Sequence, residues 1–323
     1  MCTAVFTNKN GCYFGRNLDV FGSYGEKVII TPMNYVFRFS DGTVLENHYA
    51  IMGMAVESED VPLYFDGANS EGLCAAGLNF PHKCVYNEPV EGKINIASFE
   101  FISRILSVCR NLIEVKEFLR NVNITKIAFS PDFAPTPLHW MISDKDGSVT
   151  VEQTEDGLKV YDNPFGILTN SPEFAFHSEN IRNYRHLSNT NPKDSFCDRD
   201  ELKCISNGMG TMGLPGDYSS TSRFVRAFYV KETSVFEGSE EDKFSQFFHI
   251  LYSVIHSKGC VKSEEGYEYT SYSSCINCDE MIYYFTTYSD MSVRAVNMKK
   301  ENLSDDRLIK YDIKSTNKIS YLN

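Results

Sequence analysis

Residues 1–19 of the chain read Met-Cys-Thr-Ala-Val-Phe-Thr-Asn-Lys-Asn-Gly-Cys-Tyr-Phe-Gly-Arg-Asn-Leu-Asp. Residues 3–7 form an apolar, β-branched run, residues 8–11 are turn-forming, and Tyr13 and Phe14 resume an apolar strand. Two such runs around a polar turn that contains glycine are typical of a β-hairpin. The chain is therefore predicted to open with a hairpin whose second strand returns toward the first residues.

This hairpin carries a cysteine, Cys2, directly after Met1. Removal of Met1 would leave a thiol, whose ordinary pKa is about 8.5, beside a free α-amine, whose ordinary pKa is about 7.7–8.0. Near neutral pH such an amine can act as a base beside its own nucleophile. The returning strand would place Arg16 where it favours the thiolate and Asp19 where it can hydrogen-bond the ammonium. A retained Met1 would acylate the amine and leave an inactive form.

The residues at the chain start also have a simpler interpretation. Met-Cys at a start is an accident of sequence in most proteins, and residues 16–19 can be an ordinary polar strand end. The rest of the chain must therefore decide whether Cys2 is a nucleophile.

Composition narrows the class of protein. The 323 residues are 42% hydrophobic and 23% charged, which is typical of a soluble globular protein. The net charge of −12, with no basic tract, argues against a nucleic-acid partner. No apolar run approaches the roughly 18 residues of a membrane span, and no signal-peptide pattern precedes Asn8. We expect a cytoplasmic protein without a membrane partner.

The ten cysteines are expected to stay reduced, because the chain is long and carries no export signal. Cys275 and Cys278 form a lone CxxC motif. A zinc site needs a second pair of ligands, and no matching motif is present. The pair is interpreted as structural, and neither a metal nor a cofactor is expected.

The order of elements predicts the fold class. Residues 98–121 show helical spacing with a break near Arg110, and two Asp-Gly turns join three alternating strands in residues 138–161. Strands, helices, strands, helices and strands follow one another with short hairpins and little βαβ alternation. This order predicts antiparallel sheets covered by helices, an α+β fold. No linker divides the chain, so residues 1–323 are predicted to be a single domain.

Residues 57–69 are predicted to be a loop, because the segment contains Pro62 among polar and aromatic residues. Its aromatic residues Tyr64 and Phe65 either line an apolar pocket or cap the core.

Six motifs, in order along the chain, resemble the choloylglycine hydrolase family, and its bile salt hydrolase branch in particular. The resemblance runs from Cys2 to about Lys300. The motifs are Met1-Cys-Thr3, Phe14-Gly-Arg-Asn-Leu-Asp19, Ala76-Gly-Leu-Asn-Phe80, Val151-Glu-Gln153, Leu168-Thr-Asn-Ser-Pro172, and Gly213-Leu-Pro-Gly-Asp217 with Ser222-Arg-Phe224.

The resemblance implies an N-terminal-nucleophile hydrolase fold of four layers, αββα, and a homotetramer from an intestinal bacterium. It implies hydrolysis of the amide bond of glycine- or taurine-conjugated bile acids through a thioester acyl-enzyme. No histidine is required, which counts against a papain-like Cys–His site. It also implies six catalytic residues: Cys2 as nucleophile, Arg16 and Asp19 as its polar partners, Asn79 and Asn170 at the oxyanion hole, and Arg223 as the remaining site arginine.

A steroid substrate needs an apolar cleft. The candidates come from loops near the motifs, and plain core packing is their alternative role. They are Leu18, Val20, Phe65, Phe133, Ala134 and Pro135.

Two other functions remain open. Penicillin V or another N-acyl amide is the alternative substrate, although related penicillin V acylases commonly have Tyr where this chain has Asn79. A non-catalytic binder of steroids is the second alternative. The complete set of six polar residues argues against it, since a binder has no need for all of them.

Overall fold

The computed structural model describes residues 1–131, 133–194, 199 and 202–323. The strands are β1 (Cys2–Thr7), β2 (Tyr13–Val20), β3 (Lys27–Thr31), β4 (Phe37–Arg38), β5 (Val44–Leu45), β6 (Ile51–Ser58), β7 (Val61–Asn69), β8 (Cys74–Asn79), β9 (Ile94–Ala97), β10 (Val122–Thr125), β11 (Leu138–Asp144), β12 (Gly147–Thr154), β13 (Gly157–Asp162), β14 (Ile167–Leu168), β15 (Val261–Ser263), β16 (Gly266–Asn277), β17 (Ile282–Thr287), β18 (Asp290–Asn297) and β19 (Ile309–Asp312). The α-helices are α1 (Phe101–Val108), α2 (Leu112–Leu119), α3 (Phe174–Asn180), α4 (Ser220–Thr233) and α5 (Glu240–Tyr252).

Two antiparallel sheets form the centre of the molecule. One has the order β14-β1-β2-β16-β17-β18, with β15 paired to β16, and the other has the order β13-β12-β11-β8-β7-β6-β3-β19. Apolar residues of both sheets, such as Phe14 and Met52, share one buried cluster with residues of α4 and α5. A second cluster joins the outer face of the eight-stranded sheet to α1 and α2. The layers are therefore α, β, β and α, and the predicted α+β class is confirmed.

The opening hairpin has the predicted form. β1 is buried along its whole length, and β2 lies between β1 and β16. Asn10 and Gly11 form the turn with φ of 52° and 131°, a left-handed conformation that favours these two residue types. A side chain at Gly15 would collide with the Ser274 carbonyl oxygen of β16. Glycine at this position lets the strand that carries Arg16 lie inside the sheet.

The helix pair and the three-stranded meander also follow the sequence prediction. α1 and α2 are separated at Cys109–Asn111, and the side chain of Asn111 caps the second helix by accepting a hydrogen bond from the Glu114 amide. β11, β12 and β13 pair in succession through the two Asp-Gly turns.

The predicted loop at residues 57–69 is wrong, because Val61–Asn69 is the strand β7. Glu59 and Asp60 form a tight turn with positive φ, and Pro62 lies near the strand start, where a missing N–H is tolerated. Burial then alternates along the strand, with Tyr64 in the core and Phe65 half-buried. The turn contains neither Gly nor Asn, so its residues only weakly indicate a turn.

Nine cysteines in the described part of the chain are free thiols, and Cys197 lies outside the described residues. Cys275 and Cys278 are buried, and the described residues contain no cluster of side chains able to hold a metal ion. The helices of the described residues are all too short or too polar to span a lipid bilayer.

Candidate active site

The pairing of β1 with β2 places the start of the chain beside the end of the second strand. Cys2 lies opposite Leu18, and the Asp19 amide donates a hydrogen bond to the Met1 carbonyl oxygen at 3.0 Å. Cys2 is 4% exposed, and both Arg16 and Asp19 are buried. The hairpin predicted from the sequence therefore gathers the nucleophile candidate and its two polar partners.

The nitrogen of Cys2 is a peptide nitrogen in this structure, because Met1 precedes it. Its N–H donates a hydrogen bond to Asn170 Oδ1 at 2.8 Å. The Met1 ammonium donates to the Asp19 carbonyl oxygen at 2.8 Å and forms an ion pair with Glu268. Burial lowers the pKa of this ammonium below its ordinary value. The structure thus describes the form in which Met1 is attached and Cys2 has no free amine.

Arg223, in the first turn of α4, joins the chain start to Asn170. Its Nη1 donates to the Cys2 carbonyl oxygen at 2.5 Å and to Thr3 Oγ1 at 2.7 Å, and its Nη2 donates to Asn170 Oδ1 at 2.8 Å. The guanidinium is fully buried, and this burial lowers the pKa of Arg223. These contacts fix the backbone of Cys2 relative to the Asn170 side chain.

The Arg16 guanidinium reaches from β2 to the facing sheet. Its Nη1 donates to the Phe65 and Gly77 carbonyl oxygens at 2.9 and 2.6 Å. Burial opposes its charge, but the neighbouring Cys2 thiol and acidic groups hold the pKa of Arg16 above its ordinary value. Its Nη2 is buried and meets no hydrogen-bond partner among the described residues. Arg16 is therefore a fixed positive charge whose Nη2 makes no hydrogen bond within the described residues.

Asp66 of β7 is a buried carboxylate close to Arg16. The hydroxyls of Tyr272 and Tyr283 donate to its two oxygens at 2.5 and 2.6 Å. Burial raises the pKa of Asp66, and the positive charge of Arg16 acts in the opposite direction. This buried network holds the strands around Arg16 in place.

The two oxygens of the Asp19 carboxylate differ in their hydrogen bonding. Oδ1 accepts a hydrogen bond from the Thr270 hydroxyl at 2.6 Å. Oδ2 is buried without a hydrogen-bond partner in the part of the chain that the structure describes, and His256 Nδ1 lies 3.8 Å from it. Burial lowers the pKa of His256 to about 4, so this imidazole is neutral at neutral pH. Asp19 Oδ2 is therefore available to accept a hydrogen bond from a charged amine.

Asn170 and Asn79 meet between the two sheets. Asn170 follows β14, and its Nδ2 donates to the Asn79 carbonyl oxygen at 2.7 Å. In an antiparallel strand the N–H and C=O of one residue point to the same side, so the Asn79 N–H lies on the side of β8 where its carbonyl oxygen meets Asn170. An amide nitrogen carries two hydrogens, and one of those on Asn170 Nδ2 is not used by this contact. Asn170 Nδ2 and the Asn79 N–H are thus two candidate donors on one side of β8.

A family model described as linear amide C–N hydrolases, choloylglycine hydrolase family, matches residues 2–318. The chain belongs to the choloylglycine hydrolase family. Among its relatives, the bile salt hydrolase/transferase of Lactiplantibacillus plantarum is 44% identical over 316 residues, which cover 98% of each chain. The bile salt hydrolase/transferase of Clostridium perfringens is 38% identical over 330 residues and is covered completely.

Solved structures show that the choloylglycine hydrolase fold extends over the whole chain. A variant of the conjugated bile acid hydrolase from Clostridium perfringens superposes with a TM-score of 0.92 at 36% identity, covering 100% of both chains. Penicillin V acylase from Agrobacterium tumefaciens has a TM-score of 0.77 at 18% identity, covering 98% of this chain and 92% of the other. The second likeness concerns the fold alone. The expected N-terminal-nucleophile hydrolase fold is confirmed.

The six candidate catalytic residues of this choloylglycine hydrolase lie in one connected region. Cys2, Asn170 and Arg223 are joined by hydrogen bonds, and Asn79 is joined to Asn170. Asp19 contacts the chain start through Met1, and Cys2 is one of the groups that raise the pKa of Arg16. The structure brings the predicted set together, whereas the role of each member stays a prediction.

The predicted pocket residues divide into two groups. Leu18 is buried in the core cluster, and Val20 of β2 and Phe65 of β7 are half-buried and pack against this cluster. The Phe65 ring lies 5.8 Å from the ring of Tyr24, which is 58% exposed. The remaining three residues, Phe133, Ala134 and Pro135, lie on the loop between β10 and β11, with the first two exposed.

Several buried polar residues near the site were missed from the sequence. Asp66 was missed because residues 57–69 are predicted to be a loop. A single carboxylate within an apolar run nevertheless indicates a buried acidic group. Thr270, Tyr272 and Tyr283 lie in β16 and β17, far along the chain from β2, and only the sheet pairing reveals their proximity. No pattern in the sequence around His256 indicates that this residue lies near the site.

Proposed function

We propose that this choloylglycine hydrolase cleaves the amide bond of glycine- or taurine-conjugated bile acids, with Cys2 as an N-terminal nucleophile. The observation that carries the proposal is the fixed position of Cys2 between Asn170 and Arg223. A relative named bile salt hydrolase/transferase, 44% identical over 98% of both chains, supports the substrate class.

The first step depends on loss of Met1. The Cys2 nitrogen then becomes an α-amine that can accept the thiol proton, while the positive charge of Arg16 favours the thiolate. Asn170 Oδ1 already accepts a hydrogen bond from this nitrogen, and Asp19 Oδ2 is available to accept a second one from the ammonium. The Cys2 sulfur attacks the amide carbonyl carbon, and the carbonyl oxygen acquires the negative charge.

The oxyanion needs donors that are in place before the reaction. We assign this role to the unused hydrogen of Asn170 Nδ2 and to the Asn79 backbone N–H, which lie on the same side of β8. One such donor is worth about 3–4 kcal/mol of barrier in comparable sites. As the intermediate collapses, the Cys2 ammonium gives its proton to the leaving nitrogen and the carbon–nitrogen bond breaks. Water then cleaves the thioester and restores the thiol.

The steroid is assigned to the apolar surface beside this centre. Leu18, Val20 and Phe65 come from strands that also carry or bind the catalytic candidates, and the exposed ring of Tyr24 extends this surface. Partly exposed aromatic groups next to polar ones suit an amphipathic ligand. Phe133, Ala134 and Pro135 are proposed to complete the pocket from the loop before β11.

A substrate panel tests the proposed function. Purified protein is incubated with glycocholate, taurocholate and penicillin V, and the released amine is measured. We expect kcat/KM for a conjugated bile acid to exceed that for penicillin V by about tenfold or more, a difference that pocket contacts of a few methylene groups can produce. A higher value for penicillin V would move the function to the acylase class. Binding of glycocholate without release of glycine would favour a steroid binder.

Replacement of Asn170 by aspartate is expected to lower kcat by about 10²- to 10³-fold with little change in KM. Aspartate keeps an oxygen where Oδ1 accepts from Cys2 and Arg223, but it removes the Nδ2 donor and adds negative charge near the oxyanion. The exposed residue Asn183 provides the matched control, since Asn183→Asp adds the same charge at the surface. Activity retained in Asn170→Asp would show that Asn170 acts only through Oδ1.

We extend the proposal to a homotetramer from an intestinal bacterium, as the family resemblance implies, and to the cytoplasmic location expected from the sequence. The curated relatives of L. plantarum and C. perfringens are bacterial proteins. Large apolar side chains that are exposed on the single chain, among them Met212, Tyr321 and Leu322, are available for contacts between chains. Light scattering of the purified protein should give four times the chain mass of 36.7 kDa.

A further inference from the structure

Two buried histidines contact successive carbonyl groups at the loop that carries Asn170. His139 Nε2 lies 2.9 Å from the Thr169 carbonyl oxygen, and His177 Nε2 lies 3.1 Å from the Asn170 carbonyl oxygen. Both imidazoles are 0% exposed. A carbonyl oxygen only accepts hydrogen bonds, so each Nε2 carries a hydrogen and donates it.

His139 links this loop to the strand end that carries Asn79. It lies in β11, and its ring stacks on Phe80, with ring centroids 4.4 Å apart and planes at 7°. Its Nδ1 is 3.1 Å from Glu152 Oε1 on the neighbouring strand β12. The hydrogen bond from Nε2 to Thr169 and the contact of Nδ1 with Glu152 together fix the ring orientation.

His177 links the same loop to the helix that carries Arg223. It lies in α3, and its ring stacks on Phe224, with centroids 4.7 Å apart and planes at 15°. Burial lowers the pKa of His177 to about 4, so the ring is neutral at neutral pH. Each histidine thus packs on the residue that directly follows another candidate catalytic residue.

We propose that His139 and His177 are positioning residues that hold the oxyanion-binding loop through hydrogen bonds to the Thr169 and Asn170 carbonyl oxygens. The inference rests on the proposed function, because it assigns the oxyanion to the donors of Asn170 and Asn79. The direction of Asn170 Nδ2 depends on the backbone at 169–170, and the Ser220 hydroxyl is a further anchor there, accepting from the Asn170 N–H at 2.9 Å. Neither imidazole acts as the base, and neither touches the substrate.

The geometry explains why two histidines are used instead of apolar residues of similar volume. A buried carbonyl without a donor is unfavourable. His139 donates to the Thr169 carbonyl oxygen, and the Asn170 carbonyl oxygen accepts from His177 and also lies 2.9 Å from the Ser220 hydroxyl. Imidazole supplies a directed N–H from a rigid ring that also stacks on an aromatic neighbour. Thr169 and Asn170 are thereby held from the strand side and from the helix side.

Matched glutamine and asparagine variants test the inference at His177. Glutamine places an amide N–H near the position of Nε2, whereas asparagine is one carbon shorter and places its amide near Nδ1. We expect His177→Asn to lower kcat for glycocholate by about tenfold to hundredfold with KM changed by less than about twofold. We expect His177→Gln to stay within about threefold of the wild-type kcat.

The rate of Cys2 alkylation by iodoacetamide distinguishes a positioning role of His177 from a purely structural one. This reaction displaces iodide and forms no oxyanion, so its rate should be the same in wild type and in both variants. Loss of kcat together with unchanged alkylation supports the inference. Equal kcat in all three proteins, or alkylation that falls in parallel with kcat, overturns it.

The same pair of substitutions at His139 keeps the inference testable if His177→Asn does not fold. His139→Gln retains a donor toward the Thr169 carbonyl, whereas His139→Asn retains one toward Glu152 only, so the same order of kcat is expected. Glutamine and asparagine variants with equal activity at His139 would contradict the inference. Wild-type protein that releases no amine from glycocholate would instead overturn the proposed function, which is a separate result.

Discussion

The chain that begins at Cys2 is expected to hydrolyse glycocholate at least about 10³-fold faster than a chain in which a preceding residue makes the Cys2 nitrogen an amide. In the structure this nitrogen is an amide that donates to Asn170 Oδ1, and an amide nitrogen cannot accept the thiol proton. The Met1 ammonium also occupies the space between the Asp19 carbonyl and Glu268. Met1 therefore removes the base and fills the position beside it.

A cleavable fusion measures this effect in one preparation. A tag that ends with a factor Xa site directly before Cys2 is removed in steps, and intact mass gives the fraction of free N-terminal cysteine. Activity should rise in proportion to that fraction, while the melting temperature changes little. The same fusion with Cys2→Ala provides the control, because it is cleaved equally and should stay inactive.

Full activity in the uncleaved fusion would show that the base is another group. His256 would then be the first alternative, because its Nδ1 lies 3.8 Å from Asp19 Oδ2. A pH profile of the uncleaved form with an inflection near pH 4, where burial places the pKa of His256, would identify it.

The sequence predicted those parts of the fold that depend on local pattern. The hairpin of β1 and β2, the helices α1 and α2, and the meander of β11 to β13 each follow from periodicity and turn residues within a short segment. The six site motifs were recognised from their residue types and order. These features need no knowledge of which distant strands are neighbours.

Features that depend on distant pairing were not predicted. β19 lies in a polar tail with little pattern, yet it pairs with β3 across almost the full length of the chain. Asp66 meets Tyr272 and Tyr283 only because the two sheets face each other. The histidines His139 and His177 are buried for the same reason, since nothing within their own segments shows that the Asn170 loop lies against them.

Cys2→Ser is expected to reduce kcat for glycocholate by about 10⁴-fold or more, with substrate binding retained. A serine hydroxyl is a far weaker acid than a thiol, so the α-amine and the charge of Arg16 cannot generate its anion near neutral pH. The substitution changes one atom at a 4% exposed position and leaves the hydrogen bonds of the backbone at residue 2 in place. The measurement is kcat, with binding of glycocholate followed separately by calorimetry.

The control must separate Cys2 from the other thiols. Burial raises the pKa of Cys275 and Cys278 and keeps them in the unreactive thiol form, whereas Cys204 and Cys260 are exposed. The double variant Cys204→Ser, Cys260→Ser should therefore keep wild-type kcat before treatment. On addition of iodoacetamide, its activity should fall in proportion to the alkylation of Cys2. Substantial hydrolysis by Cys2→Ser would contradict a thiolate mechanism. It would mean that the charges of Arg16 and Arg223 serve to bind the substrate and do not activate the sulfur.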